Sequence, residues 1–482
     1  MVQLIKGGER KLYKLSGHFS LLLLLFASSL LAESFSEFKR VQSESFEAFR
    51  DKKDERFNNY LKEQYKEYRE YVSIPLYEKQ KPQAPLTTRE EIPKVSGPFI
   101  HIKIADEKKP HLSPQIQLST LKNGVKVSYF GSELRFSVDE KFKGASYYPN
   151  TQKGVRNFFV TMASLNYENT LHDIKKYSQE MELNDWGVYL LIKKLAQKLY
   201  INRDEQRLFE WFMLNKLAYN VKVALVDKHI VLLINSKQLI YATPRYKLNG
   251  KYFYLLANDM RGEIKKIYTY TGEYPGAHRA FDFSLSKLPF LQSSYDSKSL
   301  EFKAYGKLYT IHFNYNKNIL EFFSTYPQVD YEVYFSAPME EQTYLDIAKD
   351  LKHYIDGKKA SVALDFLLKF VQKAFVYEVD QKQFNKEKVM FAEETLVYNR
   401  SDCEDRAILF AYLVKKLLGF SVIGVKYADH MATALYIPLK GDSLRVGKRR
   451  YVIADPTYIN ATVGQSMPKY RSIQPQKFII VK

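Results

Sequence analysis

The chain has 482 residues, 45% of them hydrophobic, and a formal net charge of +19. Its length allows two or three domains with their own cores, and its apolar content excludes a globally disordered chain. A single cysteine excludes a fold held by intramolecular disulfides. The positive charge favours anionic partners, although solvated lysines on an ordinary surface explain it equally well.

The N-terminus has the pattern of an export signal. Lys6, Arg10, Lys11 and Lys14 precede the apolar run SLLLLLFASSLLA, Ser20 to Ala32, which is short for a bilayer span and ends in small residues. We predict that residues 1–32 are a signal peptide cleaved near Ala32, which would make the protein periplasmic or secreted. The alternative is an uncleaved signal that anchors the chain in the inner membrane. Anionic partners outside the cytoplasm are wall polymers and lipid headgroups rather than nucleic acid.

Residues 33–74 predict a long amphipathic helix. Aromatic pairs recur every eleven residues, at Phe35/Phe38, Phe46/Phe49, Phe57/Tyr60 and Tyr68/Tyr71. Eleven residues make three helical turns, so these pairs share one face. That stripe can pack on the protein itself, pair with a second copy, or contact membrane or wall. The stripe alone leaves the oligomeric state open. Residues 75–114, which begin proline-rich, predict a linker.

An internal repeat organises the rest of the chain. LFEWFMLNKLAYNVKVALVDKH, residues 208–229, aligns without a gap to LFAYLVKKLLGFSVIGVKYADH, residues 409–430, and both segments end in histidine. Three earlier pairs of segments match in the same order: 128–138 with 303–313, 170–177 with 344–351, and 190–200 with 367–377. We infer two homologous units, residues 115–290 (the first repeat) and 291–482 (the second repeat). Each begins with strand-like alternation, continues with helical periodicity and ends in strands, which predicts an α+β fold.

The cysteine lies in the second repeat, in YNRSDCEDRA. Helical spacing follows Cys403 as far as Gly419, so the thiol is expected at a helix N-terminus, where the helix dipole stabilises a thiolate. Asp402, Glu404 and Asp405 oppose that effect or cap the helix. A buried inert thiol is the ordinary alternative.

Two further residues complete a chemical pattern. His430 lies between two short predicted strands, and Asp455 follows the strand Tyr451 to Ala454. Either alone is ordinary, as a structural histidine or a turn-forming aspartate. Together with Cys403 they fit nucleophilic acyl chemistry, with His430 as the base and Asp455 as the residue that orients it. Metal-ligand spacing and phosphate-binding loops are missing from the sequence, so we predict no metal and no cofactor.

These segments resemble a known family. NRSDCEDRAILFAYLVKKLLGF, ADHMATALYIP and YVIADPTY are similar to the three core motifs of the transglutaminase-like superfamily, and LLKFVQKAFVYEVD resembles the helix and strand before its cysteine. The resemblance implies that Cys403, His430 and Asp455 form the triad. It also implies a papain-like α+β fold, with the cysteine on a central helix against a sheet.

The sequence departs from the family pattern at a few positions. Ser401 replaces the usual glycine, and Met431 and Ala432 stand where many members carry an aromatic residue. The oxyanion donor besides the Cys403 N–H is unidentified, with Tyr377 and Tyr398 as candidates.

The first repeat has lost the nucleophile. Its His229 matches His430, but Asn202 stands opposite Cys403 and Asn258 opposite Asp455, while Asp204 matches Asp405. We predict a degenerate transglutaminase-like copy that scaffolds the second repeat or binds substrate.

The expected function is exported cysteine-dependent acyl transfer. The enzyme would hydrolyse amide or peptide bonds in an envelope peptide or protein, and peptidoglycan peptides are one class that suits the compartment. One alternative is a protein-crosslinking transglutaminase, which differs in using a lysine amine instead of water. The other is a non-catalytic envelope scaffold or binding protein, in which the thiol would be out of reach of solvent or His430.

Overall fold

The computed structural model describes residues 40, 44–45, 47–63, 68–75, 82–104, 124–256 and 264–481. The predicted signal peptide, residues 1–32, lies outside them, as do Phe35, Phe38 and Phe46 of the aromatic stripe. The chain divides into two compact units, residues 1–60 and 61–482. Across the described ranges, no helix combines the length and hydrophobicity that a membrane crossing requires.

The predicted N-terminal helix is correct in its middle and wrong at its end. Helix α1 covers residues 47–63, and the rings of Phe57 and Tyr60 stack within it, 5.9 Å apart. Tyr71, however, belongs to strand β1, Arg69–Val72, which pairs antiparallel with β8, Lys266–Thr269. The open edge of that sheet offers β1 a backbone ladder, and this tertiary pairing overrides the helical spacing of the tyrosines.

The remaining elements alternate between hairpins, helices and antiparallel sheets. The helices are α2 (Gln152–Ala163), α3 (Glu168–Glu180), α4 (Asp185–Leu199), α5 (Arg203–Lys216), α6 (Lys317–Ser324), α7 (Tyr331–Ser336), α8 (Glu341–Ile355), α9 (Ala360–Lys373), α10 (Asp380–Phe384), α11 (Ala392–Val397) and α12 (Cys403–Leu418). The other strands are β2 (Val125–Tyr129), β3 (Ser132–Phe136), β4 (Val221–Val226), β5 (His229–Asn235), β6 (Arg245–Leu248), β7 (Lys251–Leu256), β9 (Tyr295–Ala304), β10 (Lys307–Asn316), β11 (Val376–Tyr377), β12 (Arg400–Ser401), β13 (Val422–Lys426), β14 (Met431–Leu435), β15 (Ser443–Val446), β16 (Arg449–Ala454) and β17 (Lys477–Ile480). This mixture confirms the α+β class.

The two main sheets share one strand order. In the first repeat the order is β8-β4-β5-β7-β6, with β1 added beside β8, and in the second it is β17-β13-β14-β16-β15. Every pairing in both sheets is antiparallel. Helix α5 packs on β4 and β5 as α12 packs on β13 and β14. The aligned segments of the sequence therefore occupy corresponding places in the two sheets.

The hairpin that opens each repeat turns in the same way. Strands β2 and β3 are joined at Phe130 and Gly131, and β9 and β10 at Tyr305 and Gly306, with φ between 41° and 83° at all four residues. Positive φ at both central residues is typical of a tight two-residue hairpin turn, in which glycine carries no steric cost. The match between segments 128–138 and 303–313 therefore reflects a shared turn.

The second repeat carries extra structure immediately before the cysteine. Only residues 200–202 separate α4 from α5, whereas residues 374–402 separate α9 from α12. These added residues form β11, α10, α11 and β12, and β11 pairs in parallel with β12. We call residues 374–402 the insertion.

The described part of the predicted linker lies along the second repeat. Residues 82–104 form no regular strand or helix but make isolated bridges, from Thr87 to Ile459 and from Phe99 to Lys359. Ile100 and Ile102 are buried. Prolines remove the N–H groups that a continuous ladder needs, so the segment binds through single contacts. We call residues 82–90 the strap.

Two glycines near the second sheet offer a matched test of its packing. Gly441 has φ of +129°, and a Cβ there would lie 2.4 Å from Gly464 Cα, whereas Gly447 has φ of +59° and open space around it. We expect Gly441→Ala to lower the free energy of unfolding by about 2–3 kcal/mol and Gly447→Ala by about 1 kcal/mol. Urea unfolding of both variants measures this difference. Equal losses would contradict the close backbone approach.

Candidate active site

Cys403 is the first residue of α12, as the sequence predicts. Asp402 is the N-cap, and the helix ends at Gly419 with φ of 68°, the left-handed conformation that glycine adopts most easily. The Asp402 N–H donates to Asp405 Oδ2 at 3.2 Å, which holds the first turn. The Cys403 thiol therefore lies at the positive end of a sixteen-residue helix.

His430 and Asp455 form a buried hydrogen-bonded pair. They lie directly before β14 and directly after β16, and these strands are neighbours in the sheet. His430 Nε2 lies 2.9 Å from Asp455 Oδ2, and both residues are less than 5% exposed. The backbone N–H groups of Thr457 and Tyr458 donate to Asp455 Oδ1. Asp455 therefore forms the turn and orients the imidazole at once.

The other imidazole nitrogen makes no hydrogen bond to Cys403 Sγ, which donates to Glu404. Because an ionised Asp455 only accepts, Nε2 of a neutral His430 carries the proton and Nδ1 has the lone pair. Nδ1 is buried and has no hydrogen-bond partner among the described residues. The ring is held by aromatic neighbours, since Tyr470 stacks on it at 4.8 Å between centroids and Tyr427 lies parallel at 6.4 Å. This is the tautomer that a thiol base requires.

The tyrosines around the site respond to its charges. Burial raises the pKa of Tyr470, and its hydrogen bond to Asp429 and the negative charges of Asp429, Cys403 and Asp455 raise it further. Burial also raises the pKa of Tyr427 to about 12, with the charge of Asp455 adding to it. The charge of Cys403 therefore acts on Tyr470, whose ring stacks on His430.

No protein-family model, curated protein or solved structure matches this chain. The likeness to the transglutaminase-like superfamily therefore depends on the sequence motifs alone.

The thiol itself is buried and bonded to a carboxylate. Cys403 is 2% exposed, and its Sγ donates to Glu404 Oε2 at 3.0 Å. A carboxylate at this distance disfavours the thiolate. Around the thiol lies a buried acidic cluster in which ligand atoms of Asp402, Cys403 and Glu404, and likewise of Asp380, Asp402 and Asp405, lie within 4.8 Å of one another. A third group, Asp380, Glu387 and Glu404, has the same spacing, and together these are the described side chains near the thiol with the geometry to hold a cation.

Arg406 balances the cluster from within α12. It is 1% exposed and donates to Ser401 Oγ, to the Gln372 carbonyl and to the Phe375 carbonyl. Burial lowers the pKa of Arg406 to about 10, and nearby negative groups, Asp402 and Asp405 among them, oppose that shift. The serine in the usual glycine position thus has a defined partner.

The two candidate oxyanion donors differ in position. Burial raises the pKa of Tyr377, and so do the charges of Cys403, Asp402 and Glu404. Tyr377 pairs with Ser401, two residues before the cysteine. Its hydroxyl donates to the Gln83 carbonyl at 3.2 Å. Tyr398 instead packs against Phe384 and lies under the Lys388 ammonium. Of the two, Tyr377 is the one whose strand, β11, pairs with the strand directly before the cysteine helix.

Several residues of the site carried no signal in the sequence. Tyr470 lies in a short 3-10 helix, Pro468–Arg471, and Gln83 lies in the predicted linker. Arg406 looked like an ordinary helical cation. Tyr427 could have been suspected, because it lies three residues before His430, in the same turn between the two strands.

The first repeat lacks the corresponding site. Its Asn202 caps α5 by accepting from the Asp204 N–H at 2.8 Å. His229 Nδ1 lies 3.1 Å from Asp204 Oδ2, and the imidazole is 66% exposed. Asn258 lies outside the described residues. His229 is thus paired with the first turn of α5, and Asn202 stands where the second repeat has its cysteine.

A cavity of about 620 Å³ lies between α4 and α5 of the first repeat and residues 324–328 and 386–387. Its lining includes five basic and two acidic side chains, together with the aromatic residues Trp186, Tyr189, Tyr241 and Tyr326. The charged lining residues are Lys193, Lys194, Arg203, Arg207, Lys386, Glu210 and Glu387. Glu387 also has a carboxylate oxygen within 4.8 Å of ligand atoms of Asp380 and Glu404, so the cavity wall reaches the neighbourhood of the thiol.

Proposed function

We propose that the chain is a transglutaminase-like thiol hydrolase that cleaves amide bonds of an envelope peptide or protein through a thioester on Cys403. The observation that carries this proposal is the buried His430–Asp455 pair, with Nδ1 unbonded, at the ends of the neighbouring strands β14 and β16, because the cysteine helix packs on β14. Helix, histidine strand and aspartate strand follow in the order that the motifs imply.

The chemistry assigns one role to each group. His430 Nδ1 takes the thiol proton, and the Cys403 sulfur attacks the amide carbon to form a tetrahedral intermediate. Its oxyanion meets the Cys403 N–H at the helix N-terminus, and the Tyr377 hydroxyl is the candidate second donor. The imidazolium then protonates the leaving amine, which gives the thioester. His430 next deprotonates a water molecule that hydrolyses the thioester and frees the thiol.

The proposal extends to the architecture of the chain. The common strand order and the matching hairpin turns support tandem papain-like units, with the first repeat as the degenerate copy. The basic cavity beside the first repeat suits carboxylate-bearing peptides, and the apolar run at residues 20–32 directs the search to envelope substrates such as wall peptides. Crosslinking in place of hydrolysis would use the same thioester, with a lysine amine replacing water.

A non-catalytic envelope scaffold is the second candidate, and one observation favours it. The thiol is 2% exposed and donates to Glu404, which is the arrangement of an inert cysteine. Under this alternative the His430–Asp455 pair would serve only to hold the turn.

The pH dependence of Cys403 alkylation separates the two candidates. Iodoacetamide reports this site alone because the chain has one cysteine. We expect His430→Ala to raise the pH midpoint of labelling by about one unit, since the imidazolium no longer stabilises the thiolate. His229→Ala is the matched control, and it should leave the midpoint unchanged. The same midpoint in wild type and His430→Ala would favour the scaffold.

A further inference from the structure

The strap, residues 82–90, is hydrogen-bonded to residues next to the candidate site. The Gln83 N–H donates to the Asp429 carbonyl at 2.7 Å, and Asp429 is the residue before His430. The Gln83 carbonyl accepts from the Tyr377 hydroxyl, on the side of the cysteine. One residue of the strap therefore bonds to both sides of the site.

The next residues of the strap pair with the loop that follows Asp455. The Thr88 N–H donates to the Ile459 carbonyl at 3.0 Å, and the Ile459 N–H donates to the Leu86 carbonyl at 2.8 Å. Asn460 Nδ2 also donates to the Thr88 carbonyl. The two backbone bonds make one isolated parallel bridge, the kind of pairing through which an extended peptide binds to another backbone segment.

The far end of the strap is held by charge. Lys373 Nζ lies 2.5 Å from Glu90 Oε1, and Glu90 Oε2 accepts from the Tyr305 N–H. With the strap in place, Cys403, His430 and Asp455 are each 4% exposed or less. The burial that favours a scaffold is therefore also what a covered active site would show.

We propose that the strap occupies the substrate groove of the second repeat, and that the substrate is an extended polypeptide segment that takes over these backbone bonds when the strap leaves. The groove presents peptide groups, the Asp429 and Ile459 carbonyls and the Ile459 N–H, at the spacing of an extended chain, which selects a peptide rather than a glycan. The cleavage of that substrate rests on the proposed function; the covering of the thiol does not.

The strap makes fewer backbone hydrogen bonds than a proline-free peptide of the same length could make. Pro82 and Pro85 flank the residue that bonds both sides of the site, and each removes one backbone donor. A substrate segment without proline at those positions keeps two further donors, so it can compete with the tethered strap despite the strap's high effective concentration.

Two neighbouring proline substitutions test the strap. Thr88→Pro deletes the N–H that donates to Ile459, whereas the Thr87 N–H makes no hydrogen bond among the described residues, so Thr87→Pro is the matched control. At one fixed pH we expect Thr88→Pro to speed iodoacetamide labelling of Cys403 about tenfold and Thr87→Pro to change it less than about twofold. Equal rates in two folded variants would overturn the proposal.

A competing peptide tests the groove directly. The synthetic peptide PQAPLTTRE, which is the strap itself, should slow the labelling of the Thr88→Pro chain in a saturable way, and a scrambled peptide should not. If Thr88→Pro does not fold, a protease site placed at residues 92–95, where Ile92 and Val95 are 81% and 70% exposed, opens the strap after folding. Failure of the strap peptide to slow labelling in an opened chain would count against the groove.

The two proposals fail in different ways. Faster labelling of the opened chain with no dependence of the pH midpoint on His430 would mean that the strap covers an inert thiol, which overturns the enzyme and the substrate role of the groove. If the pH midpoint depends on His430 but opening the strap leaves the labelling rate unchanged, the proposed enzyme activity stands and the strap proposal is wrong.

Discussion

Glu404→Gln should lower the pH midpoint of Cys403 alkylation by about two units. Glu404 Oε2 accepts a hydrogen bond from Cys403 Sγ at 3.0 Å. Ionisation of the thiol would therefore place two negative charges side by side in a buried site. Like charges at such distances shift ionisation by one to several pKa units. The glutamine amide keeps the size of the side chain and replaces that charge with a dipole able to donate to the thiolate.

The rate of labelling should change less than the midpoint. Below both midpoints the thiolate fraction rises about a hundredfold for two units, but a less basic thiolate is a weaker nucleophile, with a Brønsted slope of about 0.4–0.5. We therefore expect a net gain of about tenfold at pH 6. The measurement is a labelling profile from pH 5 to pH 10 on wild type and variant.

Glu387→Gln is the control for this prediction. Its carboxylate has an oxygen within 4.8 Å of ligand atoms of Glu404 and Asp380, and its side chain also lines the basic cavity. We expect it to shift the midpoint by less than half a unit. If the pH midpoint of alkylation is the same in Glu404→Gln and wild type, the Glu404 carboxylate does not affect the ionisation of the thiol.

The parts of the site that the sequence predicted are those set by local patterns. Helical spacing from Cys403 to Gly419 was enough to place the thiol at the start of α12, and strand signals placed His430 before β14 and Asp455 after β16. The internal repeat anticipated that corresponding segments occupy corresponding places, because a repeated pattern of turns and strands reproduces the same pairing.

The remaining parts depend on contacts between segments distant in sequence. Tyr71 lies in a strand because an open sheet edge pairs with it. Gln83 binds the residue before His430, although its segment has the sequence pattern of a linker. The hydrogen bond between Cys403 and Glu404 is local, yet it depends on rotamers within a buried cluster rather than on residue type. Periodicity describes a face of one element, and it carries no information about which distant segment covers that face.

Arg406→Met should lower the free energy of unfolding by about 3–5 kcal/mol. The substitution keeps much of the apolar stem but removes the donors to Ser401, Gln372 and Phe375 at a side chain that is 1% exposed. Breaking a buried charged network by deleting one partner leaves acceptors unsatisfied and nearby carboxylates without compensation, which carries a cost of this size. Urea unfolding at pH 7 measures the loss.

A surface arginine of the same region supplies the control for Arg406→Met. Arg400 pairs with Glu378, but its side chain is 53% exposed, so Arg400→Met should lower the free energy of unfolding by no more than about 1 kcal/mol. The difference in free energy of unfolding between Arg406→Met and wild type should also become smaller from pH 7 to pH 4. Protonation of the carboxylates around Cys403 relieves the repulsion between them that the lost guanidinium had balanced. If this difference in free energy of unfolding is small at pH 7, or stays constant with pH, Arg406 contributes only its hydrogen bonds and packing. The acidic residues around Cys403 would then need another source of compensation.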